Sequence, residues 1–274
     1  MSTSPLEQEI AAALVTARRA GRSLPGFPGP VPPDMAAAYR IQDAAMAQWP
    51  DEPIGWKIGY IAPDRRATGE PDRLVGPIWR AGCRPSGAAP APVGIFGSGF
   101  AAVEAQFVVR LREDVPAPRG GRWTADDVAG VAYDLLVGVE VASSPVPAIN
   151  DLGPTVVAAD FGNNNGLVLG PSVSAGDGAA DSRLRCFVDG ELLGQRSLGD
   201  LPGGLHHALA TAWSVLAGRG HPIRAGLLFA TGAITGIHDV VPGQVARVEV
   251  DGGPAIEVRT VDVCDGQVSD EPGR

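Results

Sequence analysis

Residues 99–111 read GFAAVEAQFVVRL, and this stretch decides the fold. Val103, Ala105, Phe107, Val109 and Leu111 take one parity, while Glu104, Gln106 and Arg110 take the other. Period two is the mark of a β-strand, because successive side chains leave opposite faces. Glu104 and Gln106 therefore share a face. Two polar groups so placed mark a solvated surface, or two oxygen ligands offered to a hard cation. The strand alone leaves both readings open.

A second apolar run, LLVGVEVASS, encloses one carboxylate, Glu140. Burying a carboxylate without compensation is expensive. The bland reading is a solvated strand end or an ion pair with an arginine. Taken with Glu104 and Gln106, Glu140 gives three oxygen donors from two strands, a set that suits Mg²⁺ or Mn²⁺. Lys57 lies in IGWKIGY, a strand pattern, where a lysine ordinarily snorkels from an edge. Glu70 and Asp72 lie in GEPDRLVGPIW, by itself an ordinary charged loop. His206 and His207 are neighbours on a helical segment and cannot both face one site, so both read as structural. His238, in TGIHDVVPG, is placed to approach a site.

Around these segments the chain opens with two amphipathic helices, LEQEIAAALVTARRAG and MAAAYRIQDAAMAQW, the second capped by Asp34 and joined to the first through LPGFPGPVPP. Short strands and turns follow, with RPSGAAPAPVG as a small-residue linker. Thr124 and Asp127 form a capping-box pattern that predicts a helix through VAGVAYDLL. SRLRCFVDGELLGQ and ARVEVDGGPAIEVRTVDV read as hairpins turning at Asp189-Gly190 and Asp251-Gly252-Gly253, and GLHHALATAWSVLAGRG reads as a third helix. Helices first, then a strand-rich body with inserted helices, indicates an α+β fold. A division at residue 85 separates an N-terminal helical and strand segment (1–85) from a β-rich core (86–274), the two forming one structural unit.

The net charge of −9 and the lack of any basic run argue against nucleic acid and anionic membranes as partners. Cys83, Cys186 and Cys264 have neither the number nor the spacing of a disulfide framework or zinc site. MSTSPLEQEIAAAL has acids where a signal peptide has a basic end, and AGLLFATGAITGI is too short to span a bilayer, so a soluble cytoplasmic protein is expected. GxGxxG, Walker, GxSxG and HExxH motifs are absent.

The ordered set AYRIQ, GWKIGY, EPDRLVGPI, AAVEAQFVV, GVEVASS, ADFGNNNGLVLG and FATGAITGIHDVVPGQ resembles the 2-keto-4-pentenoate hydratase and 4-oxalocrotonate decarboxylase group of the fumarylacetoacetate hydrolase superfamily, from about residue 35 to the C-terminus. The resemblance implies a mixed, rolled β-sandwich with N-terminal helices packed outside, and a homo-oligomer. It also implies a divalent metal, Mg²⁺ or Mn²⁺, held by a Glu-x-Glu pair and a third Glu. Those positions are Glu104, Gln106 and Glu140, so the second carboxylate has become a neutral amide. Lys57 matches the lysine of the K-I-G motif, and Asp72 the general acid/base of a P-D motif, in a shorter loop with Glu70 as its nearby substitute. Asn164 matches an asparagine near the bound acid, and Pro145 stands where an arginine often follows. The implied activity is that of a lyase adding or removing water on a small 2-oxo acid or dienol through a metal-stabilised enolate. Three alternatives accompany it: a 2-oxo-acid decarboxylase, an acylpyruvate-type hydrolase using His238, and a non-catalytic subunit supporting a related decarboxylase or hydratase chain.

Overall fold

The computed structural model describes residues 3–118, 120–173 and 179–264. The chain begins with α1 (Pro5–Arg19), where Ser4 accepts from the Glu7 amide and the Glu7 carboxylate accepts from the Ser4 amide, and continues through α2 (Met35–Met46), capped by Asp34. These caps, reciprocal only in α1, satisfy amides that the first turn leaves unpaired. Strands β1 (Pro53–Tyr60), β2 (Arg73–Trp79), β3 (Cys83–Pro85), β4 (Ala91–Ile95) and β5 (Phe100–Leu111) follow, then a short α3 (Ala125–Ala129) and β6 (Tyr133–Ser144). Next come α4 (Ile149–Leu152), α5 (Pro154–Ala159), β7 (Asn164–Val173), β8 (Arg183–Val188), β9 (Glu191–Ser197) and α6 (Leu205–Gly218). Strands β10 (Leu228–Ala230), β11 (His238–Asp239), β12 (Val245–Val250) and β13 (Ile256–Asp262) complete the described chain.

The strands form two sheets. The larger runs β2-β1-β10-β5-β6-β7-β3, with β11 added to β5; the smaller runs β4-β13-β12-β8-β9. This is the mixed α+β sandwich expected, with α1 and α2 packed on each other and α2 on α5. Strands from both sides of residue 85 share the larger sheet. The hairpin at Asp189-Gly190 turns with φ of 48° and 86°, the left-handed pair that a two-residue turn requires.

Two local expectations are corrected. The supposed linker at 84–94 holds most of β3 and β4, because its small residues lie beside β7 and β13 and complete both sheets. The helix begun at Thr124 ends at Ala129, and Tyr133–Leu136 instead pair with β5, where cross-strand burial outweighs helical continuation.

Both faces of β5 are covered. Val103, Ala105, Phe107 and Val109 are at 0% exposure, but so is Gln106, and Glu104 is at 2%. Glu104 and Gln106 therefore lie on an interior surface, which removes the solvated reading for them, while Arg110 at the strand's end is exposed.

Candidate active site

Glu104 and Glu140 stand directly opposite each other on the antiparallel pair β5–β6. The pleat sends both to one face, since opposed residues in a ladder share a side. Gln106, two residues on, lies between them: its Nε2 donates to Glu104 Oε2 at 2.8 Å and to Glu140 Oε2. Its Oε1 accepts from the Gly232 amide at 2.9 Å, in the segment that leaves β10.

Strand β1 delivers Lys57. Its ammonium lies 3.1 Å from Glu140 Oε1 and donates to Asn163 Oδ1 at 2.9 Å. Lys57 is at 4% exposure, so the snorkelling reading fails. It is also the sole lysine of the 274 residues, the other basic side chains except for four histidines being arginine. A lysine can lose its proton where an arginine cannot. Asn164 Nδ2 donates to Glu140 Oε1 at 3.1 Å. Asn164 thus supports a carboxylate, whereas the sequence reading placed it against the substrate.

Asn163 escaped the sequence reading. It sits in a tight turn with Phe161, Gly162 and Asn163 at φ of 54°, 65° and 55°. The GNNNG run was the available signal, because asparagine tolerates the left-handed region better than most residues. Close approach here demands glycines: a Cβ on Gly76 would stand 2.1 Å from the Phe161 carbonyl oxygen, and one on Gly162 would stand 3.0 Å from Lys57 Cδ.

Burial pushes the Glu104 carboxyl up to about 7; Lys57 pulls against this and Glu140 adds to it. Burial acts to lower the Lys57 pKa, yet the charges of Glu140 and Glu104 overcome it and hold the ammonium above its ordinary value. A neutral-range acid beside a charged amine is the type of pairing that acid/base work needs.

A cavity of about 340 Å³ opens on one side of this cluster. Lys57, Glu104 and Asn163 supply its polar end, while Ile61, Leu74, Pro154 and Val157 supply apolar wall. Tyr60 and Ile237, both exposed, mark its open side together with Arg65, which donates to the carbonyls of Asn150 and Asp151.

Asp72 and Glu70 are not brought to this cavity. Asp72 Oδ2 accepts from Arg73 Nη1 at 2.8 Å and lies 3.0 Å from His207 Nε2; Glu70 Oε1 accepts from the Met35 amide at 3.4 Å. Both line a separate cavity of about 520 Å³. The cause is Arg73, at 1% exposure and seated over the Tyr60 ring, whose buried charge holds Asp72 as its counter-ion. His238 is turned away as well: its Nε2 lies 3.2 Å from Thr235 Oγ1 and its ring packs at Gly194, on β9. Burial lowers its pKa. His206 meets the Tyr133 hydroxyl, and His221 meets Asp43 and the Trp56 ring.

The donors can be tested against a divalent cation. Mg²⁺ is commonly held by one or two carboxylates with waters completing its shell. The opposed pair Glu104 and Glu140 meets that need. Gln106, as it stands, does not add a third ligand, because it turns N–H hydrogens toward both carboxylates. Reversing the amide would set its NH₂ against the Gly232 N–H and its oxygen against two carboxylates. In this structure the expected three-donor set is two carboxylates clipped by an amide. Among the described residues, no cluster of three His, Cys, Asp or Glu could hold a metal, and no helix is long and apolar enough to cross a membrane.

No family model and no curated protein sequence matches the chain. Solved structures do. The chain is similar to 4-oxalocrotonate decarboxylase from Pseudomonas putida G7, complexed with magnesium and adipate, at TM-score 0.78 and 20% identity over 93% of this chain and 97% of that one. The same enzyme complexed with calcium and acetate gives TM-score 0.76 at 20% identity, with the same coverage. Fumarylpyruvate hydrolase from Pseudomonas aeruginosa, in complex with Mn²⁺ and pyruvate, gives TM-score 0.53 at 14% identity over 75% of this chain and 88% of that one. At such identities what is shared is architecture, and the chain has the fold of these enzymes.

Proposed function

We propose that the chain is a metal-assisted enzyme acting on a small 2-oxo acid or its dienol, and within that class a lyase that adds or removes water. The observation that carries the proposal is Lys57: the chain's one lysine, buried at the end of a cavity between Glu140 and Asn163. Glu104 and Glu140 would hold Mg²⁺ or Mn²⁺, which when bound would supply Lewis-acid stabilisation of developing enolate charge. Lys57 Nζ, steadied by Asn163 Oδ1, carries the proton exchanged with substrate carbon. Glu104, at the polar end of this cavity, which Asp72 does not line, orients water toward the substrate. The apolar wall of Ile61, Leu74, Pro154 and Val157 receives the substrate's hydrocarbon chain and excludes bulk water.

Hydration and decarboxylation share an enolate, and the full-length likeness to a decarboxylase supports decarboxylation of a 2-oxo diacid as the second reading. Hydrolysis of an acylpyruvate loses its expected base, since His238 faces Thr235. The intact pairing of Lys57 with Glu140 favours a catalytic chain over an inert supporting subunit. A homo-oligomer remains part of the proposal by resemblance.

The test is turnover of 2-hydroxypenta-2,4-dienoate and of 4-oxalocrotonate by the purified chain with Mg²⁺ or Mn²⁺, followed by NMR. Formation of 4-hydroxy-2-oxopentanoate supports the hydratase, and CO₂ release supports the decarboxylase. Neither product, from a folded chain that binds the metal, overturns the lyase.

A further inference from the structure

The turn that carries Asn163 does not hold its shape by itself. Phe161 and Asn163 occupy the left-handed region, where Cβ crowds the backbone, and such residues persist only when their surroundings over-determine them. Part of those surroundings comes from α1, far away in sequence. Arg18, at 7% exposure, donates from Nε to Asp160 Oδ1 at 2.6 Å and from Nη2 to Asp160 Oδ2 at 2.8 Å, just before the turn. Its Nη1 donates to the Asn164 carbonyl at 3.2 Å, just after the turn. Nη2 also reaches the Ser143 carbonyl on β6 at 3.1 Å, three residues from Glu140. The Phe161 ring lies 5.3 Å from the guanidinium carbon. One planar fork thus ties both ends of the turn to the strand that bears Glu140, a geometry that a point charge such as lysine cannot reproduce.

We propose that Arg18 is a positioning residue: it clamps the 161–163 turn so that Asn163 meets Lys57 and Asn164 meets Glu140, which makes α1 part of the active-site apparatus. This rests on the reading of Lys57 and Glu140 as reactive groups, but it is testable without turnover. Because Lys57 is the sole lysine, full-length protein labelled with [ε-¹³C]lysine gives one side-chain resonance. At one fixed pH, Asn163→Ala sets the shift that marks loss of the Lys57 contact. Arg18→Met is expected to move the resonance in the same direction and by a comparable amount, with no further movement in the Arg18→Met/Asn163→Ala double variant. Arg18→Lys retains a buried cation and the pairing with Asp160, so the fold survives if Arg18→Met fails. It adds a second resonance, identified by comparison, and the Lys57 signal is still expected to shift because both ends of the turn are no longer bridged. Arg19→Met, on the exposed side of α1, leaves the signal in place. A Lys57 resonance unmoved in either folded Arg18 variant, while Asn163→Ala moves it, would show that Arg18 merely fastens the helix and would overturn the proposal. No movement in Asn163→Ala would overturn it too, by showing that the contact is not made. A chain that shows these shifts but no lyase activity would retain the clamp and lose only the proposed reaction.

Discussion

Replacing Gln106 by Glu converts the amide clip into a third carboxylate, and the structure gives the size of the effect. The amide donates to Glu104 at 2.8 Å and to Glu140, two hydrogen bonds to acidic groups at 0–2% exposure. Bonds to charged partners are worth about 1.5–3 kcal/mol each, so roughly 3–6 kcal/mol is lost before added like-charge repulsion. At about 2–4 °C per kcal/mol for a chain of this size, Gln106→Glu should melt roughly 6–24 °C below the wild type in EDTA. The new carboxylate keeps the Gly232 contact as an acceptor and completes a three-carboxylate cation site. Mn²⁺ or Mg²⁺ at about 100 times the dissociation constant restores about 2.7 kcal/mol by mass action. The assay is thermal unfolding of both proteins in EDTA and across a cation titration. The expected pattern is a low EDTA melting point with a steep cation response in the variant, against a higher melting point and shallower response in the wild type. Equal melting in EDTA and equal cation responses would refute the assignment of Gln106 as a donor rather than a ligand.

Other expectations follow from the same geometry. Lys57→Met should lower turnover by about 100- to 10,000-fold, the range for a positioned acid or base, and leave Glu140 buried without its counter-ion; retained turnover would remove Lys57 from the chemistry. Glu104 holds a proton in the folded chain between its ordinary 4.5 and about 7, which the unfolded chain releases, so its contribution to stability falls as pH rises through that window and is level above it. Urea unfolding of the wild type and Glu104→Gln should therefore differ by a pH-dependent amount in that window, and a constant difference would contradict the raised pKa. Gly76→Ala places a methyl group 2.1 Å from the Phe161 carbonyl oxygen and should cost about 3 kcal/mol of stability together with activity; a neutral effect would mean the turn is not packed as described. Asp72→Asn should leave the catalytic rate near that of the wild type, whereas a large loss would return Asp72 to the reaction.

The two central strands were legible because Glu104, Gln106 and Glu140 interrupt apolar runs, and a period of two fixes which residues of a strand share a face. Lys57 was legible only as a residue type in a strand; its burial depends on β10 and the 161–163 turn, which no local pattern reveals. Asp72 misled because its adjacent arginine, Arg73, turned out to be buried and took it as a counter-ion. The short strands β3 and β4 and the early end of α3 were hidden by small residues and by a valid cap, whose local preferences are weaker than sheet completion. Arg18 looked like a helix-terminal charge suited to the dipole, and only the packing of α1 shows it reaching Asp160. The orientation of the Gln106 amide was likewise beyond the sequence, since it is set by the Gly232 N–H arriving from residues more than a hundred positions away.

The central claim is that Glu104, Glu140 and Lys57 form one centre that stabilises and protonates the enolate of a 2-oxo acid. Exchange of C3 hydrogens of 2-oxobutanoate for deuterium, followed by ¹H NMR in D₂O with the purified chain and Mn²⁺ removed before acquisition, tests this without knowledge of the natural substrate. Exchange is expected above the rate of metal alone, lost in Lys57→Met and suppressed by EDTA. Exchange no faster than metal alone, with the wild-type chain folded and cation-loaded, would contradict it.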